Sequence, residues 1–222
     1  MKIYSGNEDN LVQYMNHMGT DNTVCDSARV SMDKTADAFT PHQNERLITY
    51  LAKHNHWSPF AHCTLQFRFK APIFVARQLA KHQVGFSWNE VSRRYVNTAP
   101  EFWVPDSFRS AAENVKQGSS DTINMFTSSH RLALHNSCRT ALQAYNAMLA
   151  DGVCAEQARA ILPQSMMTDW IWTGSLYGWS RMYDLRIDSH SQREVQHYAH
   201  LVGAICAKLF PLSWRALSSR EL

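Results

Sequence analysis

The stretch Thr64-Leu65-Gln66-Phe67-Arg68-Phe69-Lys70-Ala71-Pro72 decides how this chain folds. Leu65, Phe67 and Phe69 alternate with Thr64, Gln66, Arg68 and Lys70, the period of two that gives a β-strand one apolar face. Pro72 carries no N–H and suits the start of a helix, where that donor lacks a partner in any case. Beyond it, Ile73 to about Gln83 reads as a helix. Arg77 and Lys81 stand four apart, as do Gln78 and His82, so a polar, cationic ridge flanks apolar Phe74, Val75 and Leu79. Upstream, residues 43–54 set Leu47, Ile48 and Leu51 on one helical face, with Glu45 in the opening turn.

Downstream, Gly85 is placed to end the helix, and Phe86 to Tyr95 runs on as loop or extended chain. Residues 97–124, with Pro100, Pro105 and Gly118-Ser119-Ser120, read as an irregular surface excursion holding a short helix near Ala111 to Lys116. A long helix follows from about Ser129 to Ala150. It aligns Leu134, Cys138, Leu142, Tyr145 and Leu149, and Gly152 terminates it. Ala155 to Ile161 forms a shorter helix ahead of Pro163, and another covers about Gly174 to Asp184. The last starts near Asp188 or Ser189, either a good N-cap, and carries the stripe Val195, Tyr198, Val202, Ile205 and Leu209. Mostly helix with a small sheet, the chain is of the α+β class. Residues 1–222 contain no internal repeat and no interdomain linker, so a single domain is expected.

Composition narrows the function classes. The 222 residues carry 22 basic and 19 acidic side chains, a net charge of +3. That is too small to argue nucleic-acid binding by itself. A hydrophobic fraction of 45% and seven tryptophans exclude a disordered chain. No stretch approaches the roughly 20 apolar residues of a membrane helix, and the opening residues hold no apolar signal core. The cysteines, Cys25, Cys63, Cys138, Cys154 and Cys206, are odd in number and scattered without a C-x-x-C pair. Reduced thiols in a cytosol-like compartment are the simplest reading.

Three clusters are candidates for chemistry. His54-x-His56-x5-His62 has a spacing a metal could use, yet no acidic residue lies within it and no cysteine is well placed beside it. Hydrogen-bonded surface histidines are the plainer reading. Arg77-Gln78-x-x-Lys81-His82-Gln83 followed by Asn89-Glu90-Val91-Ser92-Arg93-Arg94-Tyr95 is denser. Arg93 or Arg94 alone reads as solvated surface, but cations, amides and a hydroxyl together suit a phosphorylated, polar, planar ligand. Arg159 and Arg186 sit in apolar surroundings at segment ends. A buried guanidinium needs an anion or a carbonyl, so Arg186 either pairs with Asp184 or Asp188 or touches ligand.

With these residues in view, the chain resembles the flavin-dependent thymidylate synthases, from the N-terminus to the final helix. The resemblance rests on an ordered set of blocks. They are Ala28-Arg29-Val30-Ser31; Tyr50-Leu51-x-Lys53-His54-x-His56-x-Ser58-Pro59-Phe60-x-His62; Lys70-Ala71-Pro72-Ile73-Phe74-Val75-Ala76-Arg77-Gln78; and Asn89-Glu90-Val91-Ser92-x-Arg94-Tyr95. Ala158-Arg159-x-Ile161-Leu162-Pro163 and Leu185-Arg186-x-Asp188-Ser189-His190-x-Gln192-x-Glu194 complete it. It implies a small, mostly antiparallel sheet with several long helices, and not a Rossmann fold; no Gly-x-Gly-x-x-Gly fingerprint is present.

The activity it implies is reductive methylation of dUMP to dTMP. Methylenetetrahydrofolate would donate the carbon and NADPH would reduce bound FAD, releasing tetrahydrofolate. A homotetramer with active sites shared between subunits is implied too, in the cytoplasm or, for a viral gene, the host cytoplasm. By position, dUMP would be held by Gln78, Lys81, Glu90, Ser92, Arg93, Arg94, Arg159 and Arg186, with Arg186 catalytic in polarising the uracil. FAD would meet Ser31, His56, Ser58, Lys81, His82, Gln83 and Glu90, with Ser175, Tyr177 and Arg181. No metal, nucleic-acid or membrane partner is implied.

The chain departs from the family pattern in places. The family signature is Arg-His-Arg, seven residues, then Ser; here Lys81-His82-Gln83 precedes eight residues before Ser92. Lysine keeps the charge without the planar fork, and glutamine loses it. Ser175 and Tyr177 stand where an amide and an arginine are usual, leaving Arg77, Arg93 and Arg181 as compensating cations. Two other functions are compatible with the same residues. One is a nucleotide- or RNA-binding module using the basic 77–94 segment without catalysis; the other is a histidine-ligated metal hydrolase.

Overall fold

The computed structural model describes residues 1–5, 11–96, 98–113 and 119–218. Chain order gives β1 (Ile3–Ser5), β2 (Val12–Met18), α1 (Asp21–Arg29), α2 (Pro41–Lys53), α3 (Ser58–Ala61), β3 (Thr64–Pro72), α4 (Ile73–Leu79) and β4 (Phe86–Glu90). Then come β5 (Phe102–Val104), β6 (Arg109–Ala111), β7 (Ser119–Ile123), α5 (Thr127–Ala150) and α6 (Ala155–Ala158). The chain closes with β8 (Met167–Ser175), α7 (Leu176–Ile187), α8 (Arg193–Leu209) and α9 (Pro211–Ser218).

The main sheet has the order β2-β3-β8-β4, every neighbouring pair antiparallel. Leu65, Phe67 and Phe69 are fully buried, as their alternation requires. In register with them lie Gly174, Trp172 and Trp170 of β8. The opposite face is polar: Arg68 grips Asp169 through two hydrogen bonds of 2.8 and 3.0 Å, and Gln66 donates to Thr173. Over the apolar face, Trp179 of α7 meets Phe67 and Trp172 edge-on, each with ring centroids 4.8 Å apart. Such pairs contribute about 0.5–1.5 kcal/mol each beyond area burial. Val195, Tyr198 and Val202 of α8 are buried in the same core. The fold is α+β and not Rossmann, and its small sheets are mostly antiparallel; β1 and β5 pair in parallel. Among the described residues no helix is long and apolar enough to cross a membrane.

Several elements differ from the sequence reading, each for a local reason. Helix α2 starts at Pro41 because Thr40 and Gln43 form a reciprocal capping box. Pro72 ends β3 and stands at the N-terminus of α4, which begins at Ile73 as expected but stops at Leu79 rather than near Gln83. Lys81, His82 and Gln83 therefore lie in a turn, and no cationic ridge continues from Arg77. The turn is needed to bring β4 against β8, and Gly85 makes it with φ +79°. Strands occupy much of the expected irregular excursion: β5 with buried Phe102 and Val104, and the β6–β7 hairpin. Ala111 ends β6; the rest of the short helix expected to Lys116 runs into 114–118, outside the described residues.

β8 has no counterpart in the sequence reading, and Gly174, expected in a helix, belongs to it. Asp188 does not cap the last long helix. Its carboxylate accepts the His190 N–H in a turn, and α8 begins at Arg193 behind Gln192.

Candidate active site

Ser175 closes β8 and caps α7, its Oγ accepting the Gly178 N–H at 3.1 Å. Its own N–H donates to the Gly85 carbonyl at 3.2 Å, which ties the turn before β4 to the start of α7. Between them opens a cavity of about 850 Å³. Its floor is Phe86, whose ring lies so close that a Cβ on Gly174 would sit 2.3 Å from it, and one on Gly178 3.0 Å. Lys81, Arg181 and Arg186 line the cavity, and none of its lining residues is acidic. Three cations without a carboxylate create a positive field inside walls of low dielectric, the setting for an anionic ligand.

Arg186 is held at the far end of α7. Its Nε donates to His82 Nε2 at 2.9 Å and an Nη to the Gln78 carbonyl at 3.0 Å. Asp188, an alternative partner from the sequence, instead meets His190. Burial and then the nearby Arg186 and Arg181 cations push the His82 pKa down to about 4. The imidazole is thus neutral at pH 7, and because Nε2 accepts, its proton sits on Nδ1. Burial also lowers the Arg186 pKa from its ordinary value without discharging it.

The expected site residues fall into separate places. Lys81, His82, Gln83, Ser175, Tyr177, Arg181 and Arg186 share the cavity just described. Glu90, Arg93 and Arg159 line a second, of about 660 Å³, beneath the polar face of the sheet. There Glu90 accepts from Thr168 at 2.6 Å and from the Trp88 indole at 3.2 Å. Arg94 reaches Glu156 at 3.7 Å and donates to Ser92 Oγ, so this hydroxyl is already engaged as an acceptor. Gln78 donates to Gln192 and borders a third cavity of about 890 Å³ with Arg109, His190 and Arg193.

Ser31, His56 and Ser58 are exposed and line none of these cavities. His56 stacks on Tyr50 with centroids 6.0 Å apart. Arg29, in the block before Ser31, is buried, donates to Asn44, and lies 3.7 Å over the Phe39 ring. Of the three compensating cations, Arg181 alone enters the first cavity; Arg93 lines the second.

Trp57, Phe86, Gly174, Gly178 and Leu185 also line the first cavity, and sequence reasoning missed them. Trp57 stood between two flagged residues, His56 and Ser58. The others were readable only once β8 was known. The histidine triad does not assemble a centre: among the described residues, no three His, Cys, Asp or Glu side chains are grouped to hold a metal. The cysteines stand apart from these cavities. Four are buried, Cys63 is pushed up to about 12 by burial, and none lines the three cavities. The basic 77–94 segment is no continuous stripe, since Lys81 faces one cavity and Arg93 another.

A cavity that joins three cations to an aromatic floor has the chemistry to suit an anionic, ring-bearing ligand. Comparison with known proteins then names the group. The family model of the thymidylate synthase complementing proteins (Thy1) matches residues 10–212. The flavin-dependent thymidylate synthase of Kosmotoga olearia is 36% identical over 211 residues, 94% of this chain and 90% of that protein. The one from Thermus thermophilus is 35% identical, over 96% of this chain and 77% of its own length. The crystal structure of a UMP/dUMP methylase, PolB from Streptomyces cacaoi, bound with 5-Br dUMP, superposes with a TM-score of 0.85. It is 29% identical and covers 99% of this chain and 97% of its own. The chain belongs to the flavin-dependent thymidylate synthase family.

Proposed function

We propose that this chain methylates dUMP to dTMP, with methylenetetrahydrofolate as carbon donor and NADPH as reductant of a bound FAD, releasing tetrahydrofolate. The observation that carries the reading is the fixed Arg186 guanidinium at a cavity wall without carboxylates. The cavity fits the cofactor in chemistry and scale: its volume is within the roughly 300–1,000 Å³ of small-molecule sites, and it combines cations with aromatic surface. Lys81, His82, Gln83, Ser175, Tyr177 and Arg181 would hold the flavin, which when bound supplies the hydride. Ser31, His56 and Ser58 would reach it from another subunit of a homotetramer. Glu90, Ser92, Arg93, Arg94 and Arg159 would contribute to the dUMP site in the same way, facing Gln78, Lys81 and Arg186. The free thiols suit the reducing cytoplasm.

Within that site the roles follow from the geometry. His82 and the Gln78 carbonyl fix the plane of Arg186, so its charge needs no reorganisation as the uracil gains negative charge. Arginines on the phosphate bind it by paired, charge-assisted hydrogen bonds. His82, being neutral, offers Nδ1–H as a donor and does not compete for the anion.

The test is a flavin absorption spectrum with and without dUMP, alongside folate-dependent dTMP formation. Expected are a yellow protein, a spectrum perturbed by dUMP, and a loss of about 10²–10³ in kcat for Arg186→Ala. Protein that stays colourless when offered FAD overturns the proposal.

A further inference from the structure

Three carboxylates line the second cavity, Glu90, Glu101 and Asp169, and the first is held unlike the others. Glu101 is ion-paired with Lys70 and, at 3.2 Å, with Lys2; Asp169 is paired with Arg68 at 2.8 Å. Glu90 has no ion pair among the described residues, although Arg93 and Arg159 line the same cavity. Those guanidiniums donate instead to the carbonyls of Thr98 and Glu156. Neutral donors hold Glu90: Thr168 Oγ1 donates to Oε1 at 2.6 Å and Trp88 Nε1 to Oε2 at 3.2 Å. One bond to each oxygen fixes the plane of the carboxylate, and the shorter has the length of a charge-assisted hydroxyl bond.

Both donors are themselves immobile. Thr168 is 7% exposed and lies opposite Ala71 of β3. Beside it the Asp169 carbonyl accepts the Val91 N–H at 2.9 Å, and branching at Cβ restricts the threonine's χ1. Trp88 stacks on Trp170 with centroids 4.3 Å apart and meets Trp172 edge-on at 5.2 Å. Glu90 itself is exposed, and a glutamate so placed is ordinarily free to change rotamer.

Resting on the dUMP reading above, we infer that Thr168 is a positioning residue for the nucleotide, acting through the carboxylate of Glu90. A carboxylate has about four lone-pair sites, and two are engaged here. The others are left for donors of the ligand, which in dUMP are the sugar hydroxyl and the ring N–H. Holding Glu90 in place before the ligand arrives moves the loss of its rotamer freedom from binding to folding.

A double-mutant cycle tests this on the full-length, flavin-loaded chain, with dUMP titrated calorimetrically and dTMP formation followed at varied dUMP. Thr168→Val keeps the shape of the side chain and removes the hydroxyl. Its Kd and KM for dUMP should rise together, about tenfold, while kcat changes far less. Thr168→Ser, which keeps the donor, should restore most of the loss. In a Glu90→Ala background, Thr168→Val should shift Kd by less than about twofold, since no carboxylate remains to be oriented. An equal shift with and without Glu90, which a general folding defect would also give, overturns the inference. So does loss of flavin from Thr168→Val in place of a change in dUMP affinity. If Glu90→Ala weakens dUMP and Thr168→Val does not, the positioning role fails while the dUMP reading stands. If Glu90→Ala leaves the affinity unaltered, Glu90 is no dUMP ligand and the inference falls with it. Wild-type protein that binds no dUMP overturns both.

Discussion

At the residue scale, the pair His82–Arg186 makes a pH-dependent contribution whose sign can be worked out. An unfolded-chain histidine titrates near 6.5, whereas folded His82 titrates near 4. Between those values the unfolded state binds the extra proton, so stability rises with pH. The contribution is complete above about 6.5 and disappears as pH falls through about 4. It amounts to at most about 3 kcal/mol, and less for a ring partly open to solvent. Urea midpoints at pH 4.5 and 7 should therefore differ more in the wild type than in His82→Gln. Equal pH sensitivity in the two proteins would show that His82 is not held neutral.

At the element scale, β8 governs both the core and the cavity floor. Phe86 lies against Gly174 and Gly178 and contacts Trp172 and Trp179 at centroid distances of 4.7 and 4.9 Å. Gly174→Ala would push a methyl into that ring from a strand hydrogen-bonded on both edges. Overpacking of this kind typically costs about 1–3 kcal/mol. Adding Phe86→Leu should recover part of the loss, read as a coupling in a double-mutant cycle of urea midpoints. Strict additivity would mean the two side chains do not meet.

These same elements explain what the sequence made legible. β3 could be read because one face is apolar and the other polar. In β8 the run Trp170-Ile171-Trp172 breaks the alternation, since Ile171 sits on the polar face, 38% exposed. Spacing at positions 77, 78, 81 and 82 continued a helix that the pairing of β4 with β8 cuts short. The resemblance assigned Lys81, His82 and Arg186 to ligand sites, and all three line the first cavity. That Arg186 is anchored by His82, 104 residues away, is a property of the folded chain.

At the scale of the whole molecule, the proposed dUMP residues are split. Arg186 lines one cavity and Arg159 another within a single chain. Helix α5 also keeps much of its surface uncovered, with Leu132 61% exposed, and Met125 and Phe126 just before it at 85% and 58%. Exposed apolar side chains of this kind are available for contact between chains. A closed assembly of identical chains that brings Arg159 of one subunit to Arg186 of another would complete the site. Arg159→Ala and Arg186→Ala chains should each be inactive alone. If sites are shared, co-expression places one intact arginine of each kind together in about a quarter of the sites of randomly mixed oligomers. Activity should then return to about that fraction of wild type, and light scattering should give a mass of several chains. Were both arginines drawn from the same chain, every site in the mixture would lack one of them. Co-expression would then restore nothing, and a monomeric mass would point the same way.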